Sequence, residues 1–150
     1  MEKVSNMTTY TVICILILSV HIINEAHAGA SREQMEKISE GFRKTCIGKT
    51  GADLAIVQEI RNGNFIVDPL AKCYTKCIMG LMKTLTKQGQ IDAEMMIKQI
   101  NIMVSPDIAG HMIAGVRKCH VEVSADEPCE LAWLFTKCVH DENPELFFFP

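Results

Sequence analysis

Six of the seven cysteines, Cys46, Cys73, Cys77, Cys119, Cys129 and Cys138, lie in the part of the chain that follows a short apolar leader. An even number of cysteines in a small secreted chain implies a disulfide framework. The seventh, Cys14, sits inside the leader, where Val12, Ile13, Ile15, Leu16, Ile17, Leu18 and Val20 form an apolar run. Ala26-His27-Ala28 follows as a small-x-small cleavage site. A run this short before such a site reads as a removable signal peptide, whereas a membrane span needs about 20 apolar residues. Residues 1–28 are therefore expected to be a signal peptide and residues 29–150 a single domain exported from the cell. Six cysteines allow 15 pairings. Cys73 and Cys77 share one helical face and cannot readily bond to each other, which leaves 12. Zinc is disfavoured, because no CxxC pair or paired histidine accompanies the cysteines.

The spacing of apolar residues predicts helices throughout. Ser31-Arg32-Glu33-Gln34 has the form of a capping box, and Met35, Ile38, Phe42 and Cys46 continue a helical face to about Cys46. Leu54, Val57 and Ile60 suggest a short second helix, ended by Asn62-Gly63-Asn64. Asp68-Pro69 is a strong start signal. Behind it Leu70, Cys73, Tyr74, Cys77, Ile78, Leu81, Met82 and Leu85 alternate steps of three and four, with Gly89 as the stop. Asp92 can cap a fourth helix carrying Met95, Met96, Ile97, Ile100, Met103 and Val104. Ser105-Pro106 begins a fifth, and Ser124-Ala125-Asp126-Glu127 reads as a box opening a sixth. Only Asn64 to Val67 hints at strand. The fold class expected is all-α, a compact six-helix domain.

Residues associated with catalysis are sparse. Among Ser31, Ser39, Ser105 and Ser124, three stand where helix caps belong. The sequence contains no GxSxG elbow, HExxH or phosphate-binding glycine loop. Pairing all six cysteines removes any thiol nucleophile, and His111, His120 and His140 read as surface residues. No enzyme activity, cofactor or metal is expected. Removing Lys3, Glu2 and Glu25 with the leader changes the net charge from −3 to −2. That charge supports neither nucleic-acid binding nor stable membrane association.

Apolar residues are in excess. Seven of the nine methionines follow the leader: Met35, Met79, Met82, Met95, Met96, Met103 and Met112. Methionine adapts to irregular cavities, although ordinary core filling explains it equally well. Leu146, Phe147, Phe148 and Phe149 must dock somewhere, because left in water they form an aggregation hazard. A helical shell with an apolar tail folded across it is a lined cavity of the kind small molecules occupy.

The gaps Cys46-x26-Cys73-x3-Cys77-x41-Cys119-x9-Cys129-x8-Cys138 resemble those of the insect odorant-binding protein family in its six-cysteine form, the x3 and x8 gaps being the specific ones. Leu70-Ala71-Lys72-Cys73-Tyr74-Thr75-Lys76-Cys77 and Cys129-Glu130-Leu131-Ala132-Trp133 also fit that family. Saposins share helices and six cysteines but have paired CxxC motifs, which are missing here.

The resemblance implies three interlocked disulfides, Cys46–Cys77, Cys73–Cys129 and Cys119–Cys138, around an apolar pocket. It implies a ligand site at Ile78, Met82, Ile97, Ile100, Val104, Ile108, Met112, Ile113, Phe135 and Val139. Twelve residues follow Cys138. This is too short for the extra helix that longer-tailed moth pheromone-binding members insert at acid pH, and it suits a lid containing Phe147 and Phe148. Such lids are held by a tyrosine just after the second cysteine, here Tyr74, bonding to the terminal carboxylate at Pro150; Arg43 is a second candidate partner. The implied function is carriage of small hydrophobic volatile ligands, odorants or pheromones, through sensillum lymph toward chemosensory receptors, by a monomer or weak homodimer. Burying about 300 Å² of ligand at roughly 25 cal/mol per Å² gives about 7–8 kcal/mol gross, which suits a modest, broad binder. Protonating the terminal carboxylate would loosen the lid in acid. Two other functions compete: a non-olfactory hydrophobic-ligand carrier, and a disulfide-rich signal or defence protein acting on a protein partner, which predicts no ligand-sized cavity.

Overall fold

A computed structural model describes residues 10–15, 17 and 31–150. Residues 10–15 and 17 are helical and exposed, whereas the expected cleavage site at Ala26-His27-Ala28 lies outside the described residues. Six helices follow: α1 (Arg32–Thr50), α2 (Leu54–Arg61), α3 (Pro69–Leu81), α4 (Ala93–Met103), α5 (Pro106–Glu122) and α6 (Pro128–Glu142). A single 3₁₀ turn, Pro144–Leu146, leads into the last four residues. Among the described residues no strand forms; Leu85 and Ile91 make one isolated antiparallel bridge. No helix there is long and apolar enough to cross a membrane.

Local chemistry accounts for most boundaries. Ser31 accepts from the Gln34 amide while the Gln34 side chain accepts from the Ser31 amide, completing the capping box. α1 continues through Gly48 and stops at Gly51, whose φ of 72° suits a residue without a Cβ. Asp53, Asp68 and Asp92 each cap the helix that follows through a side-chain oxygen. Ser105 stands at the start of α5 without making a side-chain cap bond.

Besides α1, which runs on to Thr50 rather than ending at about Cys46, two boundaries differ from the sequence expectation. α3 ends at Leu81 rather than reaching Leu85, because Lys83 turns left-handed with φ 58°. The Thr84 amide then donates to Met79 O and the Lys83 amide to Gly80 O, a Schellman closure made without glycine. α6 is capped by Glu127, whose carboxylate accepts from the Glu130 amide, with Pro128 in the first turn. The expected box starting at Ser124 does not form, because proline's fixed φ makes Pro128 the natural first residue.

Three disulfides tie the helices together: Cys46–Cys77 joins α1 to α3, Cys73–Cys129 joins α3 to α6, and Cys119–Cys138 joins α5 to α6. Their Cα–Cα separations of 5.7, 4.6 and 5.8 Å lie in the usual disulfide range. α3 and α6 pack against each other most extensively, and each carries two bridged cysteines. α4 has no bridge; it packs on α5, and Gln99 Nε2 donates to Met82 O at 2.7 Å.

The core is in two parts. Cys46, Val57, Ile60, Tyr74, Ile78, Trp133 and Phe149 form one buried cluster among α1, α2, α3, α6 and the tail. Met79, Ile97, Val116, Cys119, Leu131 and Phe135 form the other, among α3, α4, α5 and α6.

Candidate ligand-binding site

A cavity of about 470 Å³ lies where the two clusters meet. Phe149 reaches it from the first cluster, and Met79, Val116 and Phe135 from the second. Its walls follow helical periodicity. α1 contributes Met35, Ile38, Ser39 and Phe42; α4 contributes Met96, Gln99, Ile100 and Met103; α5 contributes Ile108, Met112 and Val116. Each set recurs at steps of three or four, one face of its helix. Phe135, Thr136 and Val139 of α6 complete the wall, and residues Glu145 to Pro150 cross it. Ile38 and Met103 line the cavity while remaining exposed, which places its rim along α1 and the end of α4.

Of the residues that the resemblance put at the ligand site, Met82, Ile100, Val104, Ile108, Met112, Phe135, Val139, Phe147 and Phe148 line this cavity. Ile78, Ile97 and Ile113 do not. Ile78 is buried in the first cluster, Ile97 in the second, and Ile113 packs against the second. Each is the immediate neighbour of a lining residue, Met79, Met96 or Met112, and one step turns a side chain about 100° round a helix. The α1 face of Met35, Ile38, Ser39 and Phe42 lies outside the set that the resemblance implies, although its apolar spacing stands in the sequence. Six of the seven methionines beyond the leader line the cavity, Met95 alone being elsewhere.

The tail is held at several points. Phe147 packs edge-on against His140, with ring centroids 4.9 Å apart, and lies 6.0 Å from Phe65. The Gly63 main chain leaves room for His140, since a Cβ there would sit 2.3 Å from His140 Nε2. Phe149 stacks on Phe147 and meets Tyr74 edge-on. The Tyr74 hydroxyl donates to Pro150 O at 2.5 Å, and both residues are buried. Burial pushes the Tyr74 pKa up to about 12, against the opposing pull of Arg43 and Arg61, so it remains a donor at neutral pH.

Arg43 does not join the tail. Its Nη2 lies 3.1 Å from Glu36 Oε1, which also takes Arg61 Nη2 at 2.5 Å. Glu36 sits two turns before Arg43 on the same helix and takes its charge instead. Partial desolvation raises the Glu36 pKa, but the Arg43 hydrogen bond and the Arg61 charge outweigh it and hold the group below the usual range. Among the described residues no group of three or more His, Cys, Asp or Glu is placed to hold a metal ion.

A helical, triply bridged shell around an apolar cavity defines a small-molecule carrier in general form. The PBP/GOBP family model matches residues 28–142, and the chain belongs to this family, the insect odorant-binding proteins. It is 33% identical to Apis mellifera odorant binding protein 5, whose solved structure superposes with a TM-score of 0.75 over 81% of this chain and 99% of that one. Odorant binding protein 4 of Chrysopa pallens is 27% identical, with a TM-score of 0.71 over 81% of this chain and 99% of that one. General odorant-binding protein 72 of Anopheles gambiae is 27% identical over 119 residues, 79% of this chain and 98% of that protein. The family consists of secreted carriers of small hydrophobic molecules and not of enzymes.

Proposed function

We propose that the chain carries small, poorly soluble volatile compounds in the cavity between α1, α4, α5 and α6, with residues 146–150 as its lid, and delivers them toward chemosensory receptors. The observation that carries this reading is the wall made by the tail. Leu146 to Pro150 line the cavity, and the last of them is latched by Tyr74. Leaving the cavity on that side requires breaking one buried hydrogen bond and the ring contacts of Phe147 and Phe149. Met82, Ile100, Val104, Ile108, Met112, Phe135 and Val139 supply the apolar contact, with Phe147 and Phe148 on the lid side.

The methionines favour breadth over selectivity, since their flexible thioethers adapt to different shapes. A cavity of this size counts against a protein whose only function is to engage a protein partner. Carriage outside sensory organs uses the same chemistry and differs in the tissue that secretes the protein. Removing Phe147 to Pro150 tests the lid. Stopped-flow displacement of an apolar fluorescent probe should show release at least several-fold faster in the shortened protein. Unchanged release, with helix content and disulfides intact, would show that the tail is no lid.

A further inference from the structure

The buried hydroxyls that line the cavity share one bias. Ser39, Thr84 and Thr136 line it and are buried, with 2%, 1% and 5% exposure. A hydroxyl carries one proton and two lone pairs. Each of these protons is already committed to a main-chain carbonyl: Ser39 to Glu36 O at 2.8 Å, Thr84 to Met79 O at 3.0 Å, and Thr136 to Ala132 O at 2.8 Å. Thr84 and Thr136 also meet at one residue, because Met79 Sδ, 3.8 Å from Thr136 Oγ1, is a second and weaker acceptor for the Thr136 proton. With those bonds made, the buried hydroxyls of Thr84 and Thr136, where α3 ends against α6, have lone pairs left to offer. Gln99 and Asn143 each spend one amide proton on a main-chain oxygen and are only half-buried.

We propose that the cavity selects ligands bearing a hydrogen-bond donor, alcohols above all, over acceptor-only compounds of similar skeleton, because Thr84 and Thr136 can accept but have no proton to give. This rests on the cavity being the ligand site. An alcohol can donate to either threonine without disturbing the bonds already made. A hydroxyl that is itself donating is a stronger acceptor. An ether, ketone or ester at the same spot sets lone pair against lone pair. It can bond only if a threonine turns its proton inward and gives up its own bond to Met79 O or Ala132 O; those oxygens keep a main-chain donor, so the loss is that of one hydrogen bond, about 1 kcal/mol.

The test uses the oxidised protein and displacement of an apolar fluorescent probe by decan-1-ol, its methyl ether and undecane. The alcohol should bind about fivefold tighter than the ether, although the ether is larger and more apolar. Thr84→Val and Thr136→Val should shrink that preference while undecane affinity stays within about twofold. Equal binding of alcohol and ether by the unmodified protein overturns the proposal without any variant having to fold. A preference that survives in both valine variants and disappears in Gln99→Leu overturns it as well, moving the effect to the amide. Failure of all three compounds to displace the probe refutes the carrier reading itself. Displacement by undecane without an alcohol preference refutes only the selectivity.

Discussion

Tyr74→Phe removes one oxygen atom from the tail latch and leaves the rest in place. The ring is buried and edge-on to Phe149 at 6.4 Å, and phenylalanine keeps that packing. What disappears is the bond to Pro150 O, leaving a buried acceptor without that donor. Such a loss costs about 1–3 kcal/mol. The tail does not detach, because Phe147 still packs on His140 and Phe65, and ring pairs of this kind contribute about 0.5–1.5 kcal/mol each beyond their buried area. A loss near 1.4 kcal/mol makes the open tail about tenfold more populated. If ligand leaves through the tail, its off-rate rises by up to that factor, with a smaller change in on-rate. Stopped-flow release of a bound probe measures this directly, and thermal unfolding should show Tm lower by a few degrees. The pH dependence gives an internal control. A pKa raised to about 12 means that Tyr74 contributes its full stability below pH 10 and loses it as pH climbs from 10 toward 12, and the variant should lack that alkaline loss. A lower Tm with an unchanged off-rate would refute the latch as a gate and leave Tyr74 a purely structural residue.

Other consequences are open to measurement. Replacing both Cys119 and Cys138 with serine opens a bridge of sequence separation 19, worth about 3 kcal/mol in chain entropy, and denaturant unfolding should show a loss of that size. Breaking Cys73–Cys129, with a separation of 56, should cost about 1 kcal/mol more. Mild peroxide oxidation of the lining methionines should weaken binding of an apolar probe while circular dichroism and disulfide content stay unchanged, since a sulfoxide is polar. Glu36 has a lowered pKa, so its contribution is present above the unfolded value of 4.5 and is lost as pH falls below it. Its side chain is 42% exposed, so Glu36→Gln should remove well under 1 kcal/mol, visible as a shallower acid limb of stability against pH.

Much of the fold was legible because short-range chemistry determines it. Asp68 and Asp92 stand one residue before their helices, and Ser31 with Gln34 forms its box as the spacing suggests. The end of α3 was not legible, because a left-handed lysine carries no local signal; main-chain bonds from the Lys83 and Thr84 amides close the turn where a glycine would have announced itself. At α6 two cap patterns overlapped, and Pro128 decided between them. The cavity was only partly visible. An apolar helical face packs against a core or borders a void with the same residues, so the spacing of Met35, Ile38 and Phe42 does not tell one from the other. Ile78, Ile97 and Ile113 differ from lining residues by one step, and only the rotation of each helix about its own axis separates them. Methionine was the more telling sign. Its concentration along α4 and at the end of α3 marks the surface that has to adapt.

The central claim is that the cavity of about 470 Å³ takes up one small apolar molecule. Titrating an apolar fluorescent probe into the fully oxidised protein tests it most directly. The account predicts saturable uptake of one probe per chain with a dissociation constant near micromolar, reversed by volatile alcohols and lost on reduction of the three disulfides. No uptake by a correctly bridged sample would contradict it, since the same walls would then close on a solid core.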